Sequence, residues 1–236
     1  MISKRVIQVV IVSLVVAAIG YAQYAQRGVQ KEILTKLDKI DKDQTALLAR
    51  VQGSQPQQID PNKVYDIPIA DSAVRGPKGA LVTITMFSDF QCPYCKQAAP
   101  VVEEVLKAYP NDVNFVMKQF PLPMHSYANP AARAAIAAGK QGKFWEAHDE
   151  LYKSNLSPEA IRGIAEKLGL DMQKFQADMD SEEVKKQVQA ETALGSTVNV
   201  RGTPTFFMNG KAMQARTVDA MKTLVAEELR KKGKAS

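Results

Sequence analysis

Both cysteines of the chain lie in one tetrapeptide, Cys92-Pro93-Tyr94-Cys95. A strand-like run, Leu81–Phe87, comes shortly before it, and a helix-like stretch follows. A helix N-terminus presents unpaired N–H groups and partial positive charge, which favours a cysteine there as thiolate, the reactive form. A second thiol one turn later can attack a mixed disulfide on the first and release it. Two other readings compete. A zinc site wants four protein ligands, or three and a water; only His125 and His148 could join the thiolates, and neither has finger or knuckle spacing. A purely structural disulfide would close a tiny loop, where loop-closure stabilisation is smallest. The strand–CxxC–helix context favours a redox-active pair.

The elements that must position the pair fit in one domain with an appendage. The chain has 236 residues, 45% of them hydrophobic, enough for a single good core. Its two cysteines exclude a disulfide-stapled scaffold. The formal charge is +6 and the pI about 9.2, with the basic residues scattered. The basic tail Arg230–Lys234 has no interleaved aromatics, so it reads as a solvated helix end, and no nucleic-acid partner is expected. Lys4-Arg5 precedes an apolar stretch, Val6–Ile19, broken only by Gln8 and Ser13, then small residues at Ala18, Gly20 and Ala22. That is an export-signal layout. Residues 1–22 are expected either to be cleaved after Ala22 or to remain as a signal-anchor in the inner membrane. Either way the bulk of the chain is expected in an exported, periplasmic setting, where protein disulfides persist.

Residues 23–52 read as a helical stalk. Ile33, Leu37, Ile40, Leu47 and Val51, with Gln44 in the remaining slot, step by four and three, a heptad seam. The competing reading packs this helix back onto its own domain; the narrow stripe favours self-association. Gln44 in a core slot would set register or oligomer number. Residues 53–64 read as a linker. From 65 to 236 the expectation is a globular domain. It has an edge strand at Tyr65–Ile69, a turn at Arg75–Gly79 and strands at Leu81–Phe87 and Val113–Phe120. Between those strands lies a helix to about Ala108, interrupted or kinked near Pro100. A helical insert spans about 128–198, with caps at Ser157, Asp171 and Ser181. A hairpin at Asn209-Gly210 and a final helix capped by Thr217 close the domain.

The stretch Phe87-Ser-Asp-Phe-Gln-Cys-Pro-Tyr-Cys-Lys96 resembles the active-site segment of DsbA-like and DsbG-like exported thiol–disulfide oxidoreductases. Gly202-Thr-Pro-Thr-Phe206 resembles that family's cis-proline loop. Gln119–His125 and Gly142–Trp145 are similar to DsbA-like sequences. The resemblance covers about 65–231. The stalk resembles the N-terminal segments of some multimeric members. The resemblance implies an α/β thioredoxin fold with an inserted helical subdomain. It implies Cys92 as exposed nucleophile, Cys95 as buried resolving thiol, and Pro93 and Tyr94 as the dipeptide that tunes redox poise. It also implies a cis Thr203–Pro204 bond in a loop that receives the client chain. Tyr94, where strong oxidants of the family often carry histidine, leans with Thr203 toward the isomerase-like members.

Other residues have plainer readings. His125 either helps a proton move near the site or holds a loop, the loop role being favoured. His148 is expected on a helix surface or satisfied within the insert. Asp89 either shapes local charge or makes a cap or turn. Phe144 and Trp145 are expected core anchors. The expected function is disulfide isomerisation or oxidation of exported clients, with no metal and no organic cofactor required. Expected partners are misfolded or reduced clients, a membrane redox partner, and further copies of the chain joined through residues 29–51. The alternative is a non-enzymatic periplasmic chaperone or a copper(I) carrier, since a soft dithiol can bind copper.

Overall fold

The computed structural model describes residues 4–53 and 58–233, with side chains in the first helix at 16–21, 23, 26–28 and 30–48. The chain divides into two compact units, Met1–Pro56 and Gln57–Ser236. The first unit is one helix, α1 (Lys4–Gly53). It runs through the expected boundary after residue 22 and stops at the glycine that opens Gly-Ser-Gln-Pro. Ile33, Leu37, Ile40 and Leu47 are all more than half exposed, and Leu34 and Leu48 widen the stripe. A Glu32–Lys36 ion pair spans one turn beside it. Most side chains of the expected export segment, and that of Val51 in the expected seam, lie outside the described residues. Among the described residues, no helix is long and apolar enough to cross a membrane.

The second unit is built on a five-stranded sheet in the order β1 (Val74–Arg75), β3 (Val113–Gln119), β2 (Val82–Ser88), β4 (Thr205–Met208), β5 (Lys211–Met213). Its centre is β2 (Val82–Ser88), parallel to β3 (Val113–Gln119) on one side. On the other it is antiparallel to β4 (Thr205–Met208). Both central strands are buried almost throughout, being covered on both faces, and β3 buries Asn114, Lys118 and Gln119 along with its apolar residues. The hairpin from β4 to β5 (Lys211–Met213) turns at Asn209-Gly210, both with positive φ. Only glycine fits there: a Cβ on Gly210 would lie 2.4 Å from the Tyr65 carbonyl oxygen.

The expected edge strand at Tyr65–Ile69 is not formed. The contact is a single bridge, Val64 to Lys211, with Tyr65 N–H donating to the Gly210 carbonyl at 2.8 Å. Pro68 has no N–H to extend the ladder. That side of the sheet therefore ends at β5; the opposite edge is β1 (Val74–Arg75), antiparallel to β3 and too short for periodicity to flag. The turn then follows at Gly76–Gly79.

The helix after the cysteines, α2 (Pro93–Ala108), continues through Pro100 without ending. Among the described residues five helices lie between β3 and β4. They are α3 (Ala128–Gly139), α4 (Phe144–Lys153), α5 (Pro158–Lys167), α6 (Met172–Asp180) and α7 (Glu182–Thr197). Ser157, Asp171 and Ser181 cap α5, α6 and α7 by accepting the N–H three residues on. Thr217 does the same for α8 (Val218–Lys231). Around β2, Met86 lies in the main core cluster with Val102 of α2 and Val225 of α8. Phe87 belongs to a second cluster with Phe120 and Phe207, edge-to-face at 6.1 and 5.8 Å. The strand order therefore ends β2 beside β4, which brings residues 88–92 next to the segment 203–205.

Candidate dithiol site

Cys92 is the N-cap of α2, with extended backbone (φ −75°, ψ 120°) and Pro93 as the first helical residue. Proline suits that position because its missing N–H would have no partner there. The Cys92 carbonyl accepts from Cys95 N at 3.1 Å and Lys96 N at 3.2 Å, which closes the first turn and puts both sulfurs on it. Both are free thiols in this structure. The Cys92 thiol donates to the Thr203 carbonyl at 3.3 Å, and Thr203–Pro204 is cis. Cys92 is 4% exposed, not the open thiol expected, because the cis-proline loop lies against its sulfur; Cys95 is fully buried. The exposed member of the tetrapeptide is Tyr94, at 67%. Tyr94 lines a groove of about 380 Å3 with Gln97, Ala98, Thr203, Pro204 and Arg216.

Burial pushes the Cys95 thiol up from 9.0 to about 12, against the Ser88 hydroxyl, the Asp89 backbone and the Thr203 hydroxyl, which favour its charged form; the nearby Cys92 raises it further. The Thr203 hydroxyl is buried here without a well-aligned hydrogen-bond partner. Arg216, unremarked in the sequence, donates to the Pro204 carbonyl at 3.3 Å and lies 5.1 Å from the Phe206 ring, bracing the back of the loop.

Asp89 combines the roles that sequence reasoning held apart. Its buried carboxylate accepts from Gln91 N at 2.7 Å, Leu122 N at 2.8 Å and His125 Nδ1 at 2.8 Å. The turn into Cys92 and the 121–127 segment are thus tied to one group, and His125 serves as a loop anchor. Gln91 Oε1 adds a bond from Tyr127 N. His148 is not on a helix surface. It is buried in the insert among Phe90, Trp145 and Tyr152, with Nδ1 on Asp149 and, among the described residues, no partner for Nε2. Burial lowers its pKa, against the Asp149 carboxylate, which raises it, and so favours the neutral ring. Trp145 packs on Phe115 of β3, as a core anchor.

A larger hollow, about 720 Å3, lies along the β1 edge against the insert, lined by Asp71, Val74, Trp145, Glu183 and Gln187 among others, and neither cysteine reaches it. Among the described residues, no group of three or more His, Cys, Asp or Glu gathers to hold a metal.

A dithiol on the first turn of a helix, facing a cis-proline loop across the end of a mixed sheet, defines a thioredoxin-fold redox protein. Comparison with known proteins agrees. Residues 70–227 match the family model described as Thioredoxin, and the chain belongs to that family. A thioredoxin-like oxidoreductase from Silicibacter pomeroyi DSS-3 is 28% identical, with TM-score 0.61 over 71% of this chain and 95% of that one. A ScsC structure from Proteus mirabilis, in a transitional conformation, is 22% identical, with TM-score 0.61 over 90% of this chain and 99% of that one; it shares the fold. The Na(+)/H(+) antiporter NhaA 1 of Salinispora arenicola is 42% identical over 141 residues, 58% of this chain and 22% of its own length. The chain spans about a quarter of the length of the curated relatives it matches. Fold and dithiol together are those of a thioredoxin-family protein, and the neighbour at 28% identity is a thioredoxin-like oxidoreductase.

Proposed function

We propose that this protein is an exported thiol–disulfide interchange enzyme acting on client proteins, with isomerase or mixed exchange activity favoured over pure oxidation. Cys92 is its nucleophile and Cys95 its resolving thiol. Pro93 and Tyr94 tune the pair, and Thr203 and Pro204 receive the client chain. The observation that carries this reading is the Cys92 thiol at the start of α2, 3.3 Å from the Thr203 carbonyl and one turn from a buried second thiol.

In the reductive direction, Cys92 thiolate attacks a client disulfide. The Cys92–client bond forms and one client sulfur leaves with the electron pair. Cys95 then attacks Cys92; the Cys92–Cys95 bond forms and the second client sulfur leaves. If a different cysteine thiolate of the client attacks the Cys92-bound client sulfur first, a new client disulfide forms, Cys92 leaves with the electron pair as thiolate, and the client has been isomerised. No metal or organic cofactor takes part.

The remaining proposal divides the chain into an export segment (1–22), a stalk (23–52), a linker (53–64) and the catalytic domain (65–236). The charged start and apolar run of the first segment support export to the periplasm. The heptad stripe supports homo-oligomerisation through 29–51, since a helix exposing Ile33, Leu37, Ile40 and Leu47 needs a partner to cover them. Several sites joined on stalks raise the effective concentration of thiol at one misfolded client, which serves isomerisation. A membrane redox partner would keep the pair in its working state.

The test is recovery of a scrambled multi-disulfide protein by the chain from Gln23 and by a truncation from Asp60. The reading expects reshuffling by the longer form and only thiol oxidation by the shorter. Efficient oxidation by both with reshuffling by neither would overturn the isomerase assignment.

A further inference from the structure

The groove beside the dithiol has one charged wall. Tyr94, Gln97 and Ala98 of α2, with Thr203 and Pro204 of the facing loop, line it without a formal charge. Arg216, between β5 and α8, carries the only charge among the lining residues. Its guanidinium is held in place. Nη1 donates to the Met213 and Ala215 carbonyls and Nη2 to the Pro204 carbonyl, each at 3.3 Å. The Phe206 ring lies 5.1 Å behind it.

These three carbonyls are the hydrogen-bond partners of Arg216 among the described residues, and all are neutral. Other cations of the domain meet a carboxylate: Arg75 pairs with Glu103, Lys140 with Glu183 and Lys231 with Glu228. Arg216 is exposed, and three acceptors do not exhaust the five N–H donors of a guanidinium. Its charge and its remaining donors are therefore open to a carboxylate from outside.

The position suits a client. The Cys92 thiol meets the Thr203 carbonyl and Arg216 meets the next one, that of Pro204. Sulfur and guanidinium thus touch the loop one residue apart, and a residue of extended chain spans about 3.3–3.6 Å. A client laid along the loop with its disulfide at Cys92 brings its near neighbours in sequence to the guanidinium. A carboxylate there accepts charge-assisted bonds from an arginine already oriented by the fold.

We propose that Arg216 is a specificity-determining residue: it binds an Asp or Glu carboxylate one or two residues from the client cysteine that Cys92 attacks. This rests on the exchange reading above, in which Thr203 and Pro204 receive the client chain. Acidic client segments are captured faster than neutral or basic ones bearing the same disulfide.

The experiment uses the full chain carrying Cys95→Ser, in which the mixed disulfide accumulates. Cys92 thiolate bonds to one sulfur of a peptide disulfide, and the other peptide leaves with the electron pair as thiolate. The peptides are capped, symmetric disulfides of Ala-Xaa-Cys-Xaa-Ala and of Xaa-Ala-Cys-Ala-Xaa, with Glu, Gln or Lys as Xaa. Acid quench and mass spectrometry follow the adduct. The readout is the Glu-to-Gln rate ratio, because a loosened loop slows both peptides alike. Arg216→Gln is expected to lower that ratio about fivefold at low salt in at least one peptide set, the upper range for an exposed ion pair. Arg216→Glu is expected to make the Lys peptide faster than the Glu peptide. Lys231→Gln removes an equal charge at the far end of α8, about 20 Å along the helix, and is expected to leave the ratio as it is. An unchanged ratio in Arg216→Gln would overturn the proposal. So would an equal drop in Lys231→Gln, which would assign the preference to the net charge of +6. Should the Arg216 variants fail to fold, seen by circular dichroism, the parent chain decides. Its ratio is expected to shrink between about 10 mM and about 500 mM salt, and a ratio that does not move refutes the ion pair. A parent chain that forms no adduct with any peptide would defeat the exchange reading itself, a result distinct from the others.

Discussion

Replacing Asp89 by asparagine perturbs the site without changing its volume. The carboxylate accepts three hydrogen bonds: Oδ1 from Gln91 N at 2.7 Å, and Oδ2 from Leu122 N and His125 Nδ1, each at 2.8 Å. An amide has one acceptor oxygen. If it sits in the Oδ2 place, Gln91 N–H faces an NH2 group; in the Oδ1 place, two donors do. The first arrangement is cheaper. It leaves one buried donor unmatched, at about 1–3 kcal/mol, and turns two charge-assisted bonds into neutral ones. Asp89→Asn is therefore expected to cost about 2–4 kcal/mol, and Asp89→Ala more, because all three donors lose their acceptor. Urea denaturation of the reduced full chain reads this as a lower midpoint in the domain's transition. His125→Ala removes one of the three partners and should cost less than either. A loss below about 1 kcal/mol for Asp89→Asn, or His125→Ala costing more than Asp89→Ala, would refute the claim that this carboxylate holds the 121–127 segment to the turn before Cys92.

The Cys95 thiol gives a pH signature. The unfolded chain releases that proton near 9.0 and the folded one holds it to about 12, so reduced-state stability falls as pH rises through that window, by at most about 1.4 kcal/mol per unit. Urea midpoints at pH 8 and pH 10 should fall further for wild type than for Cys95→Ala, and equal changes would contradict the assignment. Gly195 in α7 packs where a Cβ would lie 2.6 Å from the Phe120 ring and 3.0 Å from Phe87. Gly195→Ala should cost about 1–3 kcal/mol by overpacking, read by thermal or urea unfolding, and a neutral result would mean that the aromatic cluster has slack. On α1, Ile40→Asp places a charge in the exposed apolar stripe; sedimentation should then show monomers, while Cys92 keeps its reaction rate. An unchanged assembly would remove the stripe from the interface.

Local chemistry was legible in the sequence. Ser157, Asp171, Ser181 and Thr217 announce their helices because a cap needs only a side chain and an N–H three residues away. The glycine at Gly53, the Asn209-Gly210 turn and the apolar runs of β2 and β3 are equally local. The dithiol and the 203–204 loop could be paired on paper through the family resemblance, and the sheet order brings them together. What stayed hidden is tertiary. The two-residue β1 exists only through its pairing with β3, and Tyr65–Ile69 reads as a strand until Pro68 and Gly210 limit it to one bridge. Ser88 and Tyr152, whose hydroxyls lie 2.6 Å apart, are separated by 64 residues in sequence, and Arg216 lies far in sequence from the proline it braces. Nothing in spacing or composition marks such pairs. His148 read as a surface or satisfied residue because a single histidine on a helix does not say which face the aromatic cluster will cover.

The most direct test of the central claim is to trap the client adduct. Cys95→Ser and Cys92→Ser variants of the full chain are each mixed with a scrambled multi-disulfide protein, quenched with an alkylating agent and mapped by mass spectrometry. The account predicts a mixed disulfide on Cys92 that accumulates in Cys95→Ser, and no adduct in Cys92→Ser. Adducts on Cys95, or none on Cys92, would contradict it.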